Sequence, residues 1–487
     1  MIIDLNSANN TQARKQYDVC ICGAGPAGIT TARVMAKQGK QVAIFEGGGL
    51  EYSEISQSLY DGESVGRQYW DGVRSNRLRF FGGTSNHWAG RCAIFDNVDF
   101  ESRKYFGLPG WPIKREDVFQ YFDAACSILD ISGEAFKNSQ KIQWKGENFR
   151  LSESQLSPPT RFGTKYYPEL KSSSRIDVYT NANLTNISLN NDLDAVTSFE
   201  IRNYANRKFL FSADNYVLAL GAIENARLLL NCDKQLPNGI GNQNDMVGRC
   251  FMEHFNIDLG RFVADDSPVW QKGVIELNPS ENMMRAKDIG NGVLVFERNA
   301  TPVSYGRLRK LKQFVREAVC KSESLTGLSR TAVDFNCPGD GGISSMIEQA
   351  PNLKSRVFLG AEKDMFGMRR VKLDWQVNGA DYKTIRTLGL EAAKELARTG
   401  AARVQLADFI LDESKEISAF GQHAHQMGTT RMSEDPKYGV VDRNLRIHGF
   451  KNIYVGGSSV YPTGAGANPT LTLVMLAERL GHHLSKI

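Results

Sequence analysis

Two stretches hold side chains whose types and spacing can do chemistry. One is Gly421–Leu480, where His425 opens the run His425-Gln426-Met427-Gly428-Thr429 and Asn468-Pro469-Thr470 follows about forty residues later. A histidine can hold or release a proton near neutral pH. An asparagine next to a helix-starting proline offers an amide beside unpaired backbone N–H groups. Leu471, Val474, Met475, Ala477 and Leu480 continue at helical spacing, so a helix over 469–480 is expected with one buried face. Its N-terminus suits an anion or an electron-rich ring. The other stretch is Gly23-Ala24-Gly25-Pro26-Ala27-Gly28, a glycine pattern that lets a backbone approach a pyrophosphate.

The elements around these residues place them. Tyr17–Cys22 reads as a buried strand running straight into Gly23. A helical pattern follows through Ala32, Val34 and Met35 to Gly39, and Gln41–Phe45 is a second strand ending at Glu46. Strand, glycine turn, helix, strand and terminal acid form a dinucleotide-binding unit in its proper order. Glu46 can accept hydrogen bonds from ribose hydroxyls. The unit does not by itself separate FAD from NAD. Tyr216–Ala222 is a further buried strand that turns at Gly221 into a helix over 223–230. Asn452–Val455 is a short buried strand ending in Gly456-Gly457. Gly82-Gly83 again permit close backbone approach.

These blocks resemble the glucose-methanol-choline (GMC) oxidoreductases. His425–Thr429 and Ala467–Thr470 are similar to that family's C-terminal signature, and Arg77–Trp88 to its second signature. Tyr454–Gly457 followed by Gly466–Thr472 looks closest to the pyranose-oxidase-like branch. The resemblance runs from residue 17 to 484 and implies an α/β fold. It consists of a Rossmann-like FAD-binding domain (15–110, 170–255, 420–487) and a GMC-type substrate-binding domain on an antiparallel-rich sheet (111–169, 256–419). It implies FAD as cofactor and oxidation of a CH–OH group, with His425 as base and Asn468 as hydrogen-bonding partner. In the pyranose-oxidase-like branch the substrate is a sugar or glycoside, oxidised at a ring hydroxyl to a ketone. A non-sugar alcohol, or a flavin protein without turnover, stays open.

The implied cofactor contacts are Gly23, Gly25, Pro26, Ala27, Gly28, Glu46, Gly82, Gly83, Thr84, Asn86, Trp88, Ala89, Gly221, Gly457, Ser458, Asn468, Pro469 and Thr470. The backbone near Leu184 is expected at the adenine, within a strand-like stretch over 177–187. His87 falls where pyranose oxidases attach the flavin covalently; an ordinary polar contact is the alternative. Gly457 stands where many family members have an acid, and the pyranose-oxidase-like branch shares the glycine. His254, in Gly248–His254, reads as a structural hydrogen-bonding residue rather than a catalyst.

The rest of the chain sets bounds. Its 487 residues, 41% hydrophobic, suffice for a large core, and a net charge of +5 makes no case for nucleic acid. Eight cysteines lack metal-ligand spacing, and Cys20 and Cys22 read as core packing; no metal is expected. The first residues hold no long apolar run and no stretch reaches membrane-spanning length, so a soluble cytoplasmic protein is expected. Ile113–Leu129 has helical spacing, 131–168 looks irregular, and Val371, Leu373, Trp375 and Val377 alternate as in a strand roofing the cofactor. Gln349 or Trp375 are candidates for the pocket wall, and Asp381 for the cap of a helix closed by Gly400.

Ser304–Arg330 is locally basic and reads as a solvated insertion, with an acidic partner, anionic substrate or membrane surface as alternatives. A two-dinucleotide NAD(P)H flavoprotein would need a second glycine fingerprint, and none is present. The electron acceptor (oxygen, a quinone or a carrier protein) and the oligomeric state do not follow from the residues.

Overall fold

The computed structural model describes residues 1–7, 16–137, 144–264, 269–270, 273–298, 340–417 and 420–487. The basic stretch 304–330 lies outside the described residues. A six-stranded sheet runs in the order Ile2–Asp4, Ile176–Thr180, Val42–Phe45, Tyr17–Cys22, Ala213–Leu218, Ile453–Val455, every pairing parallel. Parallel sheets are covered on both faces, so their strands carry unbroken apolar runs. Val19, Cys20, Ile21, Ile44, Val217 and Val455 are accordingly fully buried. Burial pushes the Cys22 thiol up to about 12, so it packs as an inert hydrophobe. The chain leaves Tyr17–Cys22 for Val42–Phe45 on one side and later adds Ala213–Leu218 on the other. That reversal is a topological switch point, and it opens at the end carrying Gly23.

A second sheet has eight strands, all paired antiparallel. Its main path is Ala402–Leu406, Gly260–Ala264, Asp340–Glu348, Gly292–Arg298, Val274–Pro279, Phe149–Leu151. His254–Asn256 joins it at Asp340–Glu348, and Gly421–Gln422 pairs in turn with His254–Asn256. Thr470–Leu484, a helix with a 15-residue span, packs along Pro26–Lys37, whose Val34 would meet any side chain at Gly481.

Several elements differ from the sequence reading. Residues 177–187 are two strands, Ile176–Thr180 and Asn183–Leu189, because Asn181 turns the chain with φ 53°. Ile113–Leu129 breaks into Arg115–Phe119 and Phe122–Ile128. The irregular 131–168 contains Phe149–Leu151 and Ser154–Leu156, too short to show a period of two. Arg369–Asp374 pairs with Arg356–Lys363 and Gly62–Ser64 in a separate three-stranded sheet, so it is not the roof. The cap of Gly379–Thr399 is Asn378, whose side chain accepts from the backbone of Asp381. Asp381 answers from the third helical position, and Gly400 closes the helix as expected. Among the described residues no helix is long and apolar enough to cross a membrane.

Candidate active site

Between the C-terminal ends of the parallel strands and the antiparallel sheet lies a cavity of about 720 Å³. The first glycine turn supplies Gly23, Gly25, Pro26 and Ala27, and the end of the next strand supplies Glu46. The segment after Gly82 supplies Gly83, Thr84, His87, Trp88 and Ala89. Gly221, Gly457, Ser458, Asn468, Pro469 and Thr470 complete the side that carries His425. Motifs separated by hundreds of residues therefore share one wall.

Four expected contacts do not border this cavity. A Cβ on Gly28 would stand 1.9 Å from the Gly23 carbonyl oxygen, so Gly28 serves helix–strand packing. Gly82, with φ 93°, is pressed against Gly163, and the Asn86 amide donates to the Phe81 carbonyl at 2.9 Å. Leu184 lines a smaller adjoining cavity of about 40 Å³ together with Asn183 and Arg79. Gln349 and Trp375 are fully buried behind the wall: Trp375 Nε1 donates to Gln349 Oε1 at 2.9 Å, and the same oxygen accepts from the Glu253 backbone at 3.0 Å.

Glu46 is buried and already engaged. Its two oxygens accept from the backbone N–H groups of Ala24 at 3.1 Å and Gly48 at 2.9 Å. Burial raises its carboxyl above the ordinary range, and these N–H donors pull it back. It thus braces the glycine turn as well as facing the cavity.

His425 sits in a polar cluster. Its Nε2 is 3.1 Å from Asn468 Nδ2, and its Nδ1 is 2.8 Å from His254 Nδ1. Its backbone N–H donates to Glu253 Oε1 at 2.6 Å, and that oxygen also accepts from the His254 backbone at 2.9 Å. Tyr69 donates to the other Glu253 oxygen at 2.9 Å. Burial, with His254 and His423 beside it, holds His425 well below the usual imidazole range, so it is neutral at pH 7. Ala424, just before it, takes φ 60°, a left-handed conformation of the kind that clusters at functional sites.

Further wall residues escaped the sequence reading. Arg91 pairs with Glu276 and donates to Ser154 Oγ at 2.9 Å. Val293, Val295 and Met346 of the antiparallel sheet face the same space. Arg79 borders it beside Glu46 and bonds Asn183 at 2.8 Å. The only legible signal was Arg79's place within Arg77–Trp88.

The cavity fits a large dinucleotide cofactor. Gly25 sits at the cap of Pro26–Lys37, and a Cβ there would meet nothing within 4 Å. Two buried atoms of wall residues, Asn468 Oδ1 and Arg79 Nε, have no hydrogen-bond partner among the described residues. A neutral histidine and an amide at one end and a glycine-lined helix start at the other define a dinucleotide-dependent oxidoreductase.

The comparisons with known proteins narrow that class. Residues 351–477, which include His425 and Asn468, match the family model described as GMC oxidoreductase. The chain is 23% identical to 6'''-hydroxyparomomycin C oxidase of Streptomyces lividus, over 95% of this chain and 90% of that protein. It is 27% identical to pyranose 2-oxidase of Tricholoma matsutake over 30% of this chain and 25% of that one. A solved formate oxidase shares the fold, with TM-score 0.60, 15% identity, and 97% and 98% of the two chains covered. Residues 351–477 thus form a GMC oxidoreductase C-terminal domain. The chain is an FAD-dependent enzyme acting on alcohol groups.

Proposed function

We propose that this enzyme oxidises a ring hydroxyl of a sugar or glycoside to a ketone, with His425 as base and Asn468 as hydrogen-bonding partner. The observation that carries the reading is the neutral His425 Nε2 beside the Asn468 amide in the cavity wall, 3.1 Å apart. The hydroxyl proton passes to His425 Nε2. Asn468 holds the same oxygen and fixes its direction. Bound at this site, FAD would supply the hydride acceptor for the alcohol carbon. The N-terminus of Thr470–Leu484 places partial positive charge at the cavity. Gly23, Gly25, Glu46, Gly83, Gly221, Gly457 and Ser458 hold the cofactor, and the antiparallel sheet forms the substrate side. We assign 15–110, 170–255 and 420–487 to the cofactor side and 111–169 and 256–419 to the substrate side, with His254–Asn256 and Gly421–Gln422 crossing into the antiparallel sheet.

The sugar class is supported by the wall and by the likeness to a pyranose oxidase. Arg91, Glu276 and Ser154 are polar, whereas Val293, Val295 and Met346 are apolar. A pyranose presents the same mixture, hydroxyl edges and C–H faces. Replacing Arg91 with Ala should raise KM for the sugar by about tenfold, the ~1.5 kcal/mol of a charged hydrogen bond, and change kcat far less. Steady-state kinetics checks this, and a kcat loss without a KM change removes Arg91 from substrate binding.

His87 borders the cavity, and burial lowers its imidazole below the usual range, leaving it unprotonated. We place the covalent flavin attachment there. Acid precipitation of the holoprotein should leave the yellow colour in the pellet. Colour in the supernatant makes His87 an ordinary polar contact.

The six cysteines among the described residues are all buried free thiols, which supports a cytoplasmic setting. The experiment for the function is the anaerobic visible spectrum before and after adding sugars, glycosides and simple alcohols. Bleaching by sugars is expected; bleaching by simple alcohols alone overturns the sugar assignment. Readmitting air then shows whether oxygen, or a quinone or carrier protein, is the acceptor.

A further inference from the structure

His254 is a fully buried histidine whose ring is committed at both nitrogens. Nε2 lies 2.8 Å from the carbonyl oxygen of Ala465, and Nδ1 lies 2.8 Å from Nδ1 of His425. The two rings meet edge to face at 87° with centroids 5.0 Å apart. A carbonyl oxygen only accepts, so Nε2 of His254 must carry a hydrogen. A neutral imidazole holds one ring hydrogen, which leaves Nδ1 of His254 as a bare acceptor. Burial lowers His254 to about 4, so it is neutral at physiological pH. The hydrogen between the two rings must therefore belong to Nδ1 of His425. His425 is neutral too, so its own Nε2 is left with a lone pair. The Asn468 Nδ2 donor at 3.1 Å faces that nitrogen, as a lone pair requires.

We propose that His254 is a positioning residue that fixes His425 in the Nδ1–H tautomer, so that Nε2 meets the cavity as a base. The inference rests on the reading of His425 as the base. The hydrogen-bond chain runs Ala465 C=O, His254, His425, Asn468, and each link decides the next. Its anchor is built rather than incidental. Ala465 takes φ 60°, a left-handed conformation that is strained for an alanine. The Ala465 backbone N–H is fixed by Glu348 Oε1 at 2.9 Å, and Glu348 is held by Arg103 at 2.6 Å. At the other end Glu253 clamps the backbones of both His254 and His425. The two rings, 171 positions apart in the chain, are thus held on rigid supports at each side.

Two measurements on the FAD-loaded enzyme test this. The first is the ¹⁵N imidazole spectrum of protein labelled at histidine, assigned through the signals lost in His254→Leu and His425→Ala. Wild-type His425 should show a protonated Nδ1 and a bare Nε2; the opposite pattern overturns the proposal. The second is anaerobic flavin reduction by substrate. His254→Leu, which removes the acceptor, should slow the limiting rate roughly 10²-fold, within the range a positioned base supplies, with little change in KM. His254→Asn puts an amide oxygen where Nδ1 was and should recover most of that rate. A His254→Leu variant with wild-type rate, or a His254→Asn variant no better than His254→Leu, overturns the proposal. The spectrum does not depend on turnover. If His425→Ala leaves reduction unchanged, the base assignment fails by itself, and the tautomer pattern still decides the relay.

Discussion

His425→Ala should purify with FAD bound and lose reduction of that FAD by substrate, by ~10²–10⁴-fold, the range a positioned base contributes. The cofactor contacts proposed here are spread from Gly23 to Thr470, so removing one imidazole leaves the glycine turn, Glu46 and the helix start in place. The variant also strands the bare Nδ1 of His254, a buried acceptor worth about 1–3 kcal/mol, so a lower melting temperature is expected as well. The pH dependence gives a second check. Only neutral His425 can accept a proton, and burial holds its pKa below 6.5. The wild-type reduction rate should therefore hold as pH falls to about 6.5, the free histidine value, and drop only below it. An inflection near 7 would belong to Glu253, whose carboxyl burial raises to about 7. In His425→Ala the acid limb should vanish. Stopped-flow reduction under anaerobic conditions reads both effects, and an unchanged rate removes His425 from the chemistry.

Legibility in the sequence follows the range of the interactions. Tyr17–Glu46 was readable because a strand buried on both faces is an apolar run and the glycine turn is local in sequence. His425 and Asn468 stood out as candidates because each lies in a short motif that resembles a family signature. His254 was read only as structural, since its ring partner is 171 residues away and no local pattern reports that distance. Arg91 and Glu276 were missed for the same reason, lying 185 positions apart. Trp375 shows the opposite failure. Its alternation was read correctly as a buried face, but burial against Gln349 and Phe255 looks the same in sequence as burial against a ligand. The cap of Gly379–Thr399 went to Asn378 because a capping box pairs two residues, and the sequence reading credited only Asp381.

Gly25→Val should give a folded, colourless protein, whereas Gly28→Val should not fold, although both glycines belong to one motif. Gly25 has φ −88° and ψ −172°, extended backbone that valine adopts without strain. A Cβ at Gly25 meets nothing within 4 Å, because the space in front of it is the cavity. At Gly28 a Cβ would collide with the Gly23 carbonyl at 1.9 Å and crowd Ile21, so the helix would have to leave the sheet. The first substitution thus removes room for the cofactor and the second removes the fold. The valine methyls at Gly25 should weaken FAD binding at least ~100-fold, about 2.8 kcal/mol. A ligand that binds only the folded state raises the melting temperature with its concentration. Added FAD should therefore raise the melting temperature of wild-type protein expressed without flavin and leave that of Gly25→Val unmoved, with the two equal in its absence. A Gly25→Val protein that binds FAD as wild type does would mean that the cofactor does not pass over this turn, and Gly25 would join Gly28 as a packing glycine.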